Sequence, residues 1–214
     1  MTDVAYPLPA TPELKALVQK CIDIKKKKKL YSAIPHPDFA HLPAGRHDER
    51  WHMIKPHLDP NGGTAIDLGA HFATFSHWLE DAGYQVTAVE YSELYAEVAR
   101  QVRDLWGKKF EVFEGSIFDL PALKYDVVLA LNIFHHFLKK KATYEAFEAL
   151  LDRMDVQTMF FESHSYDEHQ MKKAVVNMKP DEFAQFIGER TGLTNIEVIG
   201  VERGVRPLFK LSRP

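Results

Sequence analysis

From about residue 61 onward, short apolar runs alternate with amphipathic stretches. Thr64–Leu68 is apolar and follows Asn61-Gly62-Gly63; Tyr84–Glu90, Phe110–Glu114, Asp126–Leu131 and Val156–Glu162 are further runs of strand length. Between them, Thr74–Ala82, Glu93–Trp106 and Thr143–Met154 read as helices. Asp126–Leu131 is almost wholly apolar, the pattern of a strand buried on both faces of a parallel sheet. Such β/α alternation predicts a parallel sheet with right-handed crossovers. Beyond it, Lys179-Pro180-Asp181-Glu182 opens a helix and Gly192 stops it. Ile196–Val201 and Leu208–Leu211 are separated by only a few residues, which implies an antiparallel hairpin. The pattern predicts an α/β fold with a mostly parallel, seven-stranded sheet closed by a C-terminal antiparallel hairpin.

The first 60 residues are patterned differently. Thr11-Pro12-Glu13 reads as a helix start, with Thr11 capping and Pro12 in the first turn, and the helix runs to about Leu30. Pro35, Pro37 and Pro43 mark an irregular linker, and residues 46–57 read as a second helix broken near Pro56. This gives an N-terminal helical extension or lid over 1–60 and one globular unit over 61–214. The lysine run Lys25–Lys29 is either a solvated helix end, whose cations suit the C-terminal dipole, or a patch for an anionic partner.

Composition narrows the classes. A length of 214 residues with 45% hydrophobic residues fits one sizeable core. The net charge of −3 argues against whole-surface attraction to nucleic acid. The single cysteine, Cys21, forms no internal disulfide, which suits a reducing compartment. No apolar run approaches the ~20 residues of a membrane span, and the first residues lack the charged start and apolar core of a signal peptide. A cytoplasmic protein is expected. No CxxC or HExxH spacing is present, and no metal site is assigned.

The segment Ala65-Ile66-Asp67-Leu68-Gly69-Ala70-His71-Phe72-Ala73 is an apolar strand ending in an acid and a small-residue turn. In open α/β sheets, ligands bind beyond the carboxyl ends of the strands at the switch point. Gly69, Ala70 and Ala73 leave room there, and Asp67 is placed to accept a hydrogen bond from an ammonium group or a water. A little over twenty residues on, Val86–Glu90 is a second strand ending in an acid, suited to a pair of ribose hydroxyls. Phe113-Glu114-Gly115-Ser116-Ile117 follows the third strand, and Leu131-Asn132-Ile133-Phe134-His135-His136 follows the fourth.

Taken in order, Asp67-x-Gly69, Glu90, the Gly115-Ser116 turn and Asp126…His135-His136 resemble class I methyltransferases that depend on S-adenosylmethionine (SAM), over roughly residues 45–165. The resemblance implies a Rossmann-like fold with SAM as cofactor and S-adenosylhomocysteine as product. By it, Gly69, Ala70 and His71 cradle the methionine part and Glu90, followed by Tyr91, holds the ribose. Ser116 and Ile117 flank the adenine, and Asn132 lies beside the sulfonium. Two positions depart from the family pattern. Ala73 replaces a usual glycine, which narrows the methionine pocket, and Ser116 stands where an aspartate often holds the adenine amino group. Gly45-Arg46…Arg50-Trp51 and the Asn132–His136 stretch are similar to methyltransferases associated with polysaccharides and O-antigens. The framework is also similar to tRNA wobble-uridine carboxymethyltransferases and RNA cap methyltransferases.

For methyl transfer to a hydroxyl or ammonium the protein must orient the acceptor and take a proton; a phosphate oxygen needs only cationic positioning. His135 and His136, at the expected cofactor edge, are candidate bases or substrate contacts, with backbone or helix capping as the alternative. Glu162 and His164 are a second candidate base and its orienter, or a plain sheet edge. Arg46, Arg50 and Trp51 are candidate acceptor contacts on a lid, or ordinary packing for Trp51. The leading expectation is a small-molecule or glycan methyltransferase. An RNA-modifying enzyme with Lys25–Lys29, Arg203 and Arg206 as a phosphate track, and a SAM-binding partner module, remain alternatives. A nicotinamide oxidoreductase is disfavoured by the missing GxGxxG and the terminal hairpin.

Overall fold

A computed structural model describes residues 6–24, 29–45, 49–121 and 123–214. The strands are β1 (Gly63–Leu68), β2 (Tyr84–Glu90), β3 (Glu111–Glu114), β4 (Lys124–Leu131), β5 (Asp155–Glu162), β6 (Asn195–Glu202) and β7 (Arg206–Ser212). The helices are α1 (Pro12–Ile24), α2 (Arg50–Ile54), α3 (Thr74–Asp81), α4 (Glu93–Leu105), α5 (Lys141–Asp152) and α6 (Pro180–Thr191). The sheet order is β3-β2-β1-β4-β5-β7-β6. The first five strands are parallel, and β7 pairs antiparallel with both β5 and β6. This is the Rossmann-like sheet with a terminal hairpin that the sequence predicts.

The apolar run in β4 is explained by its two faces. Val128 and Ala130 pack into one buried cluster with Phe147 of α5 and Phe183 of α6. Val127 and Leu129 pack into another with Phe75 and Leu79 of α3. Successive side chains of a strand point to opposite faces, so a central strand covered on both sides must be apolar throughout. In β5, Met159 and Phe161 join the first cluster and Phe160 the second.

A third cluster ties the extension to the sheet layer. Leu14, Val18 and Cys21 of α1 meet Val98, Val102 and Leu105 of α4, with Leu30, Ile34, Phe39 and Phe72 beside them. The Thr11 hydroxyl accepts from the Leu14 amide at 3.1 Å, capping α1. Most of its expected end, Lys25–Lys28, lies outside the described residues. Ile24 is its last described residue, and Leu30 is extended, bridged in parallel to Ala44. The Leu30 amide donates to the Pro43 carbonyl and the Gly45 amide to the Leu30 carbonyl. Residues 29–45 are irregular, as Pro35, Pro37 and Pro43 suggest, but form a packed strap, because Leu30, Ile34 and Phe39 are buried in the third cluster. The second helix spans α2 and passes into a 3₁₀ turn, Lys55–His57, at Pro56. Among the described residues no helix is long and apolar enough to cross a membrane.

Candidate functional site

The carboxyl ends of β1, β2, β3 and β4 converge on one cavity of about 760 Å³. Each end is shaped by its own sequence. After β1 the amides of Gly69 and Ala70 both donate to the Val89 carbonyl at 2.9 Å, which folds the turn over the end of β2. The turn demands left-handed backbone: φ is 75° at Gly69, 54° at His71 and 57° at Ala73. At Gly69 a Cβ would stand 3.1 Å from Ile133 Cδ1, so glycine also serves the close approach. Non-glycine residues held at positive φ are uncommon and gather where structure is shaped for function.

Glu90 ends β2 with its carboxylate on the cavity wall. One oxygen accepts the His71 amide and the other the Ser92 amide, each at 2.8 Å. These bonds lock the carboxylate between the β1 turn and the start of α4. After β3, Gly115 donates its amide to the Glu90 carbonyl at 3.0 Å, and the Ser116 hydroxyl accepts the Phe118 amide at 3.2 Å. Ser116 and Ile117 line the cavity, as does Tyr91, which is 81% exposed. After β4, Asn132 takes φ 62°; its amide nitrogen donates to the Tyr31 hydroxyl at 2.5 Å and its oxygen accepts from Arg206.

The histidine pair follows in a 3₁₀ turn, Phe134–Lys139, and both rings line the cavity 4.1 Å apart. His135 is buried, and Nδ1 has no hydrogen-bond partner among the described residues. Burial, then the neighbouring positive charges of His136 and Lys139, push its pKa down to about 2. His136 is held below the ordinary histidine value by desolvation of the ring and by Lys139 and Arg206.

Several sequence-predicted site residues lie elsewhere. Asp67 is buried off the cavity lining, with one oxygen accepting the Ser76 hydroxyl at 2.8 Å; it fastens α3 to β1. Ala70 packs against the second cluster, as Ala73 does within it, so the Ala73 methyl does not narrow the cavity. Glu162 is buried and takes Arg50 on one oxygen, with Arg206 3.7 Å from the other. His164 is fully buried, its Nε2 2.8 Å from Asn177 Oδ1, and burial lowers its pKa. Neither lines the cavity. Arg50 lies over the Phe75 ring and holds Glu162, and Trp51 packs on Phe75 and Trp78. Arg46 and Lys25–Lys28 lie outside the described residues.

The cavity also takes residues that sequence reasoning missed or placed elsewhere. Tyr31 from the strap, Tyr95 from α4 and Gln170 complete the wall, with Arg203 and Arg206 from the hairpin. Tyr31, His71 and Tyr95 form an aromatic group, with ring centroids 5.5 Å apart for Tyr31–His71 and 4.3 Å for His71–Tyr95. The arginines do not form a free phosphate track. Arg206 pairs with Glu168 at 2.6 Å, and Arg203 with Glu202 at 3.1 Å. A smaller cavity of about 420 Å³ shares the two arginines and is lined also by Ser165, Asp167, Glu168, Glu202 and Val205.

A family model described as a methyltransferase domain matches residues 66–153. Among solved structures, the chain is similar to the bifunctional kinase-methyltransferase WbdD, at 19% identity and a TM-score of 0.71, covering 93% of this chain and 46% of that one. It thus spans about half the length of the WbdD chains it matches. It is also similar to magnesium protoporphyrin IX methyltransferase (ChlM) from Synechocystis PCC 6803 with bound SAM, at 15% identity and a TM-score of 0.60, covering 96% of this chain and all of that one. No curated protein matches the chain. Residues 66–153 thus match a methyltransferase-domain model, and the described chain has the fold of the class I methyltransferases.

Proposed function

We propose that this methyltransferase domain uses SAM to methylate an oxygen or nitrogen of a small-molecule or glycan acceptor. The observation that carries the reading is the placement of Glu90: a carboxylate fixed by two backbone amides on the wall of a cavity that also receives the Gly69 turn. The residues fit such a cofactor. The volume lies in the range of ligand pockets. Gly69 keeps the turn open where backbone must approach, and Glu90, a carboxylate at the end of the second strand on the cavity wall, suits a ribose. Gly69 and His71 would border the methionine part, Tyr91, Ser116 and Ile117 the adenine, and Asn132 the reactive centre. When bound, SAM supplies a methyl on a sulfonium, already electrophilic, for in-line transfer.

The chain's own task is to orient the acceptor and take its proton. Glu162 and His164, expected to do this, stand off the cavity, and Glu162 anchors two arginines instead. His135 is a poor base, because protonating its buried ring is costly. His136, also on the wall and less buried than His135, is the better proton acceptor. The smaller cavity that shares Arg203 and Arg206 is the acceptor's place. Both of its guanidinium groups are paired with carboxylates of the same cavity, Arg203 with Glu202 and Arg206 with Glu168, which suits a neutral, hydroxyl-bearing molecule better than a polyphosphate. The single cysteine, Cys21, is buried, in keeping with a cytoplasmic setting.

Calorimetry of the full chain with SAM and with S-adenosylhomocysteine tests the reading. Binding of both at a 1:1 ratio is expected, and binding of neither would sink it. A methyl-transfer screen over sugars, phosphosugars and tRNA then separates acceptor classes; transfer only to tRNA, weakening steeply with salt, would replace the glycan reading.

A further inference from the structure

We propose that Arg206 is a positioning residue that decides which way the side-chain amide of Asn132 faces at the cavity wall, and so closes the strap onto the site. This rests on reading the cavity as the SAM site.

Asn132 stands at the carboxyl end of β4 with left-handed backbone, φ 62°, so its side chain leaves the strand in an unusual direction. Its amide has two chemically opposite ends. Arginine carries donors only, so the end facing Arg206 Nη1 must be the acceptor, Oδ1. Nδ2 is thereby turned to the Tyr31 hydroxyl, 2.5 Å away on the strap. Rotating the amide by half a turn would set donor against donor at Arg206.

Arg206 is itself held. Nη2 pairs with Glu168 Oε1 at 2.6 Å, and Nη1 lies 3.7 Å from Glu162 Oε1. The Glu162 side chain is fully buried, and its other oxygen is taken by Arg50. The Arg206 side chain is only 15% exposed. A guanidinium pinned between two carboxylates has little freedom, and removing one member of such a buried group leaves a charge uncompensated. The line of contacts Arg50–Glu162–Arg206–Asn132–Tyr31 therefore crosses from α2 to β5, β7, β4 and the strap. No one of these elements sets the amide by itself. Lysine cannot replace Arg206 here, because one ammonium does not match a planar fork serving Asn132, Glu162 and Glu168 together.

The test is a double-mutant cycle on the affinity of the full chain for S-adenosylhomocysteine. Parent, R206K, N132A and the double variant are titrated calorimetrically, each below its own unfolding transition. Arg206→Lys and Asn132→Ala are each expected to weaken binding about tenfold, the effect of losing one charge-assisted contact. Because both remove the same oriented amide, the double variant is expected to be no weaker than the weaker single. Release of the ligand should also quicken in both singles, since the Tyr31 clasp is opened in each. A double variant weakened by the product of the two factors would overturn the proposal, as a merely structural arginine gives that result. If R206K does not fold, Glu168→Gln, which slackens Arg206 without removing it, replaces it in the same cycle and is read by the same criterion. A parent that binds no ligand defeats the functional reading and the proposal together; a parent that binds, with independent effects in the cycle, defeats the proposal alone.

Discussion

His77 and His135 are buried imidazoles kept neutral by their surroundings. Burial, then Lys108, lowers the pKa of His77 to about 4, and His135 falls to about 2. Both lie below the value of 6.5 that the unfolded chain would show. As the pH drops below 6.5, the unfolded chain takes up protons that the folded chain refuses, so stability declines with acidity. Each histidine adds about 1.4 kcal/mol per pH unit over that window, down to its folded pKa. Urea unfolding at pH 7, 6 and 5 is expected to show this slope. His77→Phe, which keeps a ring against Phe110, should flatten it by one histidine's share; an unchanged slope would contradict the assignment. At the same scale, Glu90→Gln puts an amide NH₂ where one of two backbone N–H groups now finds an acceptor. Binding of S-adenosylhomocysteine should weaken at least about tenfold, since both the ligand contact and the turn suffer. His164→Ala, off the cavity, should lose stability and leave affinity within about twofold; equal affinity in the Glu90 variant and the parent would refute the ribose assignment.

The turn from β1 into α3 is the element on which the site depends most. Ala73 occupies it with φ 57° and is fully buried. Its left-handed backbone costs roughly 1–2 kcal/mol that glycine would avoid. Ala73→Gly would also lose about 0.8 kcal/mol of buried methyl and about 0.5–1 kcal/mol of chain entropy. The opposing effects nearly cancel, so the variant should unfold within about 1 kcal/mol of the parent. Cofactor affinity should be unchanged, because the methyl lies in the second cluster and not on the cavity wall. A gain in affinity would show that the methyl does crowd the ligand. The turn also marks where sequence reading stops. Its small residues and flanking acids locate the site, since strand ends and glycine act locally. The division of labour between the acids is not local. Glu90 faces the cavity, whereas Asp67 is turned to Ser76, and only the packing of α3 against β1 separates them. Glu162 is a similar case: the end of β5 was a sound place to look for an acid, but the arginines that occupy it come from α2 and β7.

At the scale of the whole molecule, the strands and helices beyond residue 61 were readable because period and turn chemistry agree there. In the strap at 29–45 the prolines mark irregular chain, but with no period to follow its packing is not legible. Its order comes from long-range contacts: Leu30, Ile34 and Phe39 are buried with α1 and α4, and the Trp106 indole donates to the Pro35 carbonyl at 2.5 Å. This bears on whether residues 1–60 are a detachable lid or part of the fold. Leu14 is fully buried between α1 and α4. If the extension shares the core, Leu14→Ala costs about 3 kcal/mol and lowers the single melting transition by roughly 6–12 °C. Circular dichroism reports the helices and sheet, and tryptophan fluorescence includes Trp106 beside the strap. The two should shift together, as one cooperative unit requires. A detachable lid gives the opposite result: an early fluorescence change, with the main transition left in place. Because Tyr31 reaches the cavity from this same segment, coincident shifts would mean that the site's outer wall is as stable as the sheet it covers.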